Sequence, residues 1–70
     1  MTKQRRVIHE VIMASPEHLT AEEIFLRARR VLPSIAIGTI YRNLHLMTED
    51  GTIRRIAVPG GPDHFDREIG

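Results

Sequence analysis

The sequence predicts a mainly α domain closed by a small β-hairpin, and three observations carry that expectation. Apolar residues recur at helical spacing in three segments, each bounded by a cap or a breaker. The third segment ends at Asp50-Gly51, a pair suited to a helix C-terminus. Beyond Gly51 the chain turns β-branched and doubles back through Pro59-Gly60-Gly61-Pro62. Residues 1–70 therefore read as one small domain, which buries only about 60% of its unfolded surface. With no Cys in the chain, neither a disulfide framework nor a thiolate metal site supports it. Packing, a partner or an adjoining domain has to.

The first helix is expected from Lys3 to Ala14. Thr2 can cap it, and Val7, Ile8, Val11 and Ile12 form one apolar stripe. Lys3, Arg5 and Arg6 crowd its first turn, where the helix dipole disfavours cations. Such a turn suits a phosphate partner better than it suits the helix, although a solvated basic turn is the plainer reading. Ser15-Pro16-Glu17 ends this helix, because proline disfavours the helical conformation of the residue before it.

The second helix carries the clearest start signal. Thr20 is its N-cap, Glu23 the capping-box partner three residues on, and Leu19 faces Ile24 as a hydrophobic staple. It is expected to run from Ala21 to about Val31 and stop at Pro33. Ile24, Phe25, Ala28 and either Val31 or Leu32 are its buried face, with Arg27 and Arg30 outside.

After the short connection Pro33-Ser34-Ile35-Ala36, the third helix is expected from Ile37 to Glu49 or Asp50. Ile37, Ile40, Leu44 and Met47 mark its inner face, while Gly38, Thr39 and Arg42 point outward. Thr52 to Val58 and Asp63 to Asp66 then form the two strands of the hairpin. Adjacent Arg54 and Arg55 must face opposite sides, one toward a nucleic-acid backbone and the other toward water. Helix, helix, helix and hairpin in that order make a winged helix-turn-helix, whose third helix is the natural reader of a DNA major groove.

Charge tempers that expectation. The net charge is only +1, too little to hold nucleic acid by itself, so binding must come from a locally basic face and depend strongly on salt. No apolar run has transmembrane length, and Lys3, Arg5, Arg6 and Glu10 interrupt the N-terminal segment where a signal peptide needs an apolar core. A cytoplasmic protein that does not engage membranes is expected. His9, His18, His45 and His64 lie on different elements, and no Ser sits beside a His base with an orienting group. An enzyme is not expected.

Several spaced motifs carry a family resemblance. Thr2-x-Gln4-Arg5, His18-Leu19-Thr20-Ala21-Glu22-Glu23-Ile24-Phe25, Ile35-x-x-x-Thr39-Ile40-Tyr41-Arg42-x-Leu44, Glu49-x-Gly51 and Phe65-Asp66 together resemble the N-terminal DNA-binding domain of the ferric-uptake-regulator family. That resemblance implies a bacterial metal-responsive or peroxide-responsive regulator, usually a repressor. It also implies a palindromic double-stranded DNA operator and a homodimer formed through a C-terminal metal-binding domain, which would begin just after Gly70. It places recognition contacts at Thr39, Tyr41 and Arg42, where Thr and Tyr can touch thymine methyls and Arg can reach a phosphate or guanine. Spacing alone would instead allow Tyr41 to pack at the edge of the core. Arg5, Arg6, Arg54 and Arg55 are the expected phosphate contacts.

The same resemblance implies that His18 and Asp66 are two ligands of a regulatory Fe, Mn or Zn ion, the others lying outside this chain. Imidazole and carboxylate donors suit those metals. Taken alone, His18 would be a loop histidine and Asp66 a strand-end carboxylate. Asp rather than Glu at position 66 is compatible with the peroxide-sensing branch of the family. Two departures concern the reading helix: Ala36 stands where Ser is common, leaving the helix without a hydroxyl cap, and Gly38 stands where Ala is usual. Two alternatives stay open, a winged-helix regulator of another family and a winged-helix module that binds protein.

Overall fold

A computed structural model of the chain describes residues 2–67. Gly70, beyond which the resemblance places a second domain, lies outside the described residues. The elements in chain order are α1 (Lys3–Ala14), β1 (Leu19–Thr20), α2 (Ala21–Ala28), α3 (Ile37–Glu49), β2 (Ile53–Ile56) and β3 (His64–Arg67). Three helices and a small antiparallel sheet make the winged helix that the sequence predicts.

Helix α1 starts where expected, with Thr2 Oγ1 accepting the Arg5 N–H at 3.2 Å. It buries Val7, Ile8 and Ile12, while Val11 packs against the core from its margin. The turn after it is fixed by Ser15, which is buried. Its hydroxyl donates to the Glu17 carbonyl at 2.8 Å and accepts the Glu17 N–H at 3.2 Å, which sets the path of the backbone entering His18.

At α2 both halves of the capping box form: Thr20 Oγ1 accepts the Glu23 N–H at 3.2 Å, and Glu23 Oε1 accepts the Thr20 N–H at 2.9 Å. The bond from the Thr20 backbone, followed by its hydroxyl, holds the Glu23 carboxyl below its usual pKa. Thr20→Ala is expected to lower stability by about 0.5–2 kcal/mol, read as a shift in the urea midpoint with the cooperativity unchanged. The helix ends at Ala28 rather than near Val31. Bonds from the Arg30 and Val31 N–H groups to the Arg27 and Ala28 carbonyls tighten the last turn, because Pro33 bars its predecessor from the α region and the helix must unwind before it. Val31 is consequently 62% exposed, and Leu32 is the residue that packs on the core.

Helix α3 has no side-chain cap at Ala36. Its buried face is Ile40, Asn43, Leu44 and Met47; Ile37, expected on that face, stands at the first position of the helix, ahead of those residues, and is 38% exposed. Asn43 is accommodated because its Nδ2 donates to the Thr39 carbonyl at 2.9 Å. The C-terminus closes in a Schellman arrangement: the Gly51 N–H reaches the Thr48 carbonyl and the Thr52 N–H the Met47 carbonyl, with Gly51 at φ 79.

The sheet has three strands in the order β1-β3-β2, all antiparallel, where two were expected. The added strand is short and shares its residues with the staple and cap of α2. Its register sets Leu19 opposite Phe65 and Thr20 opposite His64. Strand β2 ends at Ile56, two residues short of the expected Val58, because the chain turns at Pro59-Gly60 with Gly60 at φ 74 and the Gly61 N–H on the Val58 carbonyl. Leu19, Ile53 and Phe65 close the helical core from the sheet side.

Candidate functional site

The inner face of α3 is committed to the core, so its outer face is what the domain offers to a partner. Tyr41 is 53% exposed and Arg42 is exposed, while Thr39 is half-buried. Tyr41 therefore does not pack into the core; it borders an open cleft of ≈ 430 Å³ that Thr20, Glu22, Arg55, Asp63 and Phe65 also line. The cleft lies between the start of α2, the outer side of α3 and the hairpin. At Gly38, an added Cβ would meet nothing within 4 Å, so the first turn of α3 presents bare backbone to the outside.

The two hairpin arginines are separated by the pleat. Arg55 lies opposite Phe65 and Arg54 opposite Asp66, so they lie on opposite faces of the sheet. The Arg55 guanidinium sits 5.9 Å from the Phe65 ring centroid, and its Nε is 3.7 Å from Asp63 Oδ2. It shares the cleft with Tyr41. Arg54 shares a face with Asp66 and contributes to lowering the pKa of that carboxyl. Arg6 is exposed on α1.

Arg5 is differently placed. One guanidinium nitrogen donates to Asp50 Oδ2 at 2.5 Å and to Thr52 Oγ1 at 3.2 Å, which turns the side chain along the domain toward the end of α3. Asp50 and Thr52 are partners of Arg5 that the sequence does not reveal. The Asp-Gly-Thr string at the helix end signals a cap, but nothing local announces a partner on α1. Asp50 Oδ1 accepts both the N–H and the hydroxyl of Thr52. These Thr52 bonds, with the bond from Arg5, lower the Asp50 pKa to about 2. A depressed carboxylate pKa stabilises the fold above the usual value of 3.8, and that contribution disappears as pH falls toward about 2. The carboxyl resonance of Asp50 is therefore expected to titrate near the lower value, and Arg5→Ala to move that midpoint upward.

A second cluster sits on the other face of the sheet. The β1–β3 register brings His18, just before β1, beside Asp66, and His18 Nδ1 lies 2.8 Å from Asp66 Oδ2. Asp66 is 9% exposed. Burial pushes its carboxyl up, but the Arg67 N–H at 2.8 Å on Oδ1, His18 and Arg54 outweigh it, and the pKa is lowered overall. Among the described residues no three His, Asp or Glu side chains converge to hold an ion, so this pair can be at most part of a metal centre. Its donors fit that role. Two ligands about 2.0–2.2 Å from one cation lie roughly 3–3.5 Å from each other, close to the 2.8 Å that separates His18 Nδ1 and Asp66 Oδ2.

Comparison with known proteins gives this geometry its context. The family model described as "Ferric uptake regulator family" matches residues 1–69. The ferric uptake regulation protein of Brucella abortus (strain 2308) is 39% identical over 70 residues, which is 100% of this chain and 50% of that protein. The peroxide-responsive repressor PerR of Staphylococcus saprophyticus is 32% identical over 66 residues, 94% of this chain and 45% of that protein. A solved structure described as a zinc-bound manganese uptake regulator superposes with a TM-score of 0.90 at 34% identity, covering 96% of this chain and 51% of that one. The chain spans about half the length of the curated relatives that it matches. A winged-helix regulator of an unrelated family, one of the two alternatives, is set aside by the match over residues 1–69.

Proposed function

Because the chain belongs to the ferric uptake regulator family, we propose that it is the DNA-binding domain of a metal-responsive or peroxide-responsive transcriptional repressor. It reads a palindromic operator as part of a homodimer joined through a further domain, and it acts in the cytoplasm by binding rather than by catalysis. The observation that carries this reading is the outer face of α3, where Tyr41 and Arg42 stand exposed beside the cleft that the hairpin lines. Thr39, Tyr41 and Arg42 are the base-reading residues, and Arg6 with Arg55 of the hairpin supplies phosphate contacts, Arg54 lying on the other face of the sheet beside Asp66. Among the described residues no helix is long and apolar enough to cross a membrane.

The test is fluorescence anisotropy of the full-length protein on an AT-rich palindromic duplex, with manganese(II) present, at roughly 50–200 mM salt. Binding that weakens steeply with salt and exceeds that for a scrambled duplex supports the reading. No binding at the lowest salt defeats it and favours a protein-binding winged helix, for which the net charge of +1 is the best argument.

His18 and Asp66 are proposed as two ligands of the regulatory Fe, Mn or Zn ion, with the remaining donors outside this chain. Such an ion, when bound, supplies a fixed positive charge at the junction of two domains. The chain's part is to hold an imidazole and a carboxylate side by side, the latter oriented by the Arg67 N–H. His18→Ala is expected to weaken manganese(II) binding by the full-length protein about tenfold or more, measured by isothermal titration. Its melting temperature without added metal should remain close to wild type, since the His18 side chain is 49% exposed.

A further inference from the structure

We infer that Arg5 is a positioning residue, whose guanidinium fixes the C-terminal end of the reading helix α3 against α1 instead of gripping a phosphate. The inference rests on the assignment of α3 as the DNA reader. Arg5 lies in the first turn of α1, and Asp50 is 45 positions away in sequence. The guanidinium engages the Asp50 carboxylate and the Thr52 hydroxyl together, while Asp50 Oδ1 takes the Thr52 N–H at 3.0 Å. Thr52 N–H also reaches the Met47 carbonyl, and Gly51 N–H reaches that of Thr48. The last carbonyls of α3 and its cap carboxylate are thus tied to one short segment, and Arg5 ties that segment to α1. A phosphate would have to share the guanidinium with Asp50, whose carboxylate already holds one of its nitrogens and turns the side chain toward the end of α3.

The magnitude of such a clasp decides what it does. The Arg5 and Asp50 side chains are 24% and 45% exposed, and exposed ion pairs add little to global stability. Its effect falls on orientation. A reading helix that pivots at its far end misplaces Tyr41 and Arg42, both less than three turns upstream, without unfolding the domain.

The test uses the full-length protein with manganese(II) and the same duplex, comparing wild type with Arg5→Ala, Asp50→Ala and the double substitution. Arg5→Ala is expected to weaken binding roughly 3- to 30-fold, the order of an energetic coupling through a positioning network. The salt slope is expected to stay unchanged, because no counterion-releasing contact is lost. Asp50→Ala is expected to weaken binding too, although it removes a negative charge, and the double substitution no more than either single one. Without DNA, amide exchange at Gly51 and Thr52 is expected to accelerate roughly tenfold in both single variants.

A salt slope that falls by about one in Arg5→Ala, tighter binding by Asp50→Ala, or unchanged exchange at the two amides overturns the positioning role while leaving the DNA-reading assignment intact. A wild-type protein that binds no duplex while the two amides still accelerate overturns that assignment. The clasp is then a structural device only, and its positioning role falls as well.

Discussion

Leu44→Ala is expected to lower the unfolding free energy of the domain by about 2–5 kcal/mol. Leu44 is 1% exposed and belongs to the cluster that joins all three helices to the sheet. Truncating it removes three carbon atoms from the buried cluster of a helix that α1, α2 and β2 all contact, leaving a cavity that its neighbours fill only in part. A domain of this length has roughly 4–10 kcal/mol of stability to lose. The substitution therefore removes a large share of the whole, and urea unfolding at equilibrium is the measurement that reads it. Leu44→Met, which conserves volume, is expected to cost less than about 1.5 kcal/mol. Equal losses for the two would mean that the site tolerates no change of shape, and cavity formation would not be the cause.

Arg42→Ala, two positions earlier on the same helix, is expected to do the reverse. Arg42 is exposed and accepts no structural duty in the hydrogen-bond or ion-pair network of the described residues, so the urea midpoint should hardly move. Operator binding is expected to weaken by about 1–3 kcal/mol for each half-site, roughly 5- to 150-fold, if the guanidinium reads a guanine. In that case discrimination relaxes at one base pair of each half-site. A phosphate contact gives a different pattern: affinity falls evenly across sequences and the salt slope drops by about one per half-site. Anisotropy with a set of single-base variants distinguishes the two, and unchanged affinity for every duplex removes Arg42 from the interface. Leu44→Ala and Arg42→Ala thus probe one helix on its two faces, stability on the inner and the proposed recognition on the outer.

The features legible from sequence are those set within about one helical turn. Thr2 on Arg5 N–H, the Thr20–Glu23 box and the Gly51 cap all join residues no more than five apart, and side-chain chemistry at fixed spacing announces each. The inner stripe Ile40, Leu44 and Met47 was equally plain, because burial follows the helical period. Local patterns misjudged element ends. The last turn of α2 yields to Pro33, and Ile37, at the first position of α3, is exposed although it continues the apolar stripe.

What the sequence by itself determined is the three helices, the hairpin and the outward placement of Gly38 and Arg42 on α3; spacing left Tyr41 at the edge of the core, where the structure has it 53% exposed. What only the tertiary structure decided is which distant residues meet. Strand β1 has two residues, too few to show a period, yet its pairing with β3 sets His18 against Asp66 across 48 positions. The pleat of β2 sends Arg55 to the Tyr41 cleft and Arg54 to the His18–Asp66 face. Helix packing turns Arg5 from solvent onto Asp50. The physical reason is common to all three: a contact between remote positions is fixed by the register and packing of whole elements, and neither is written in the spacing of neighbouring residues.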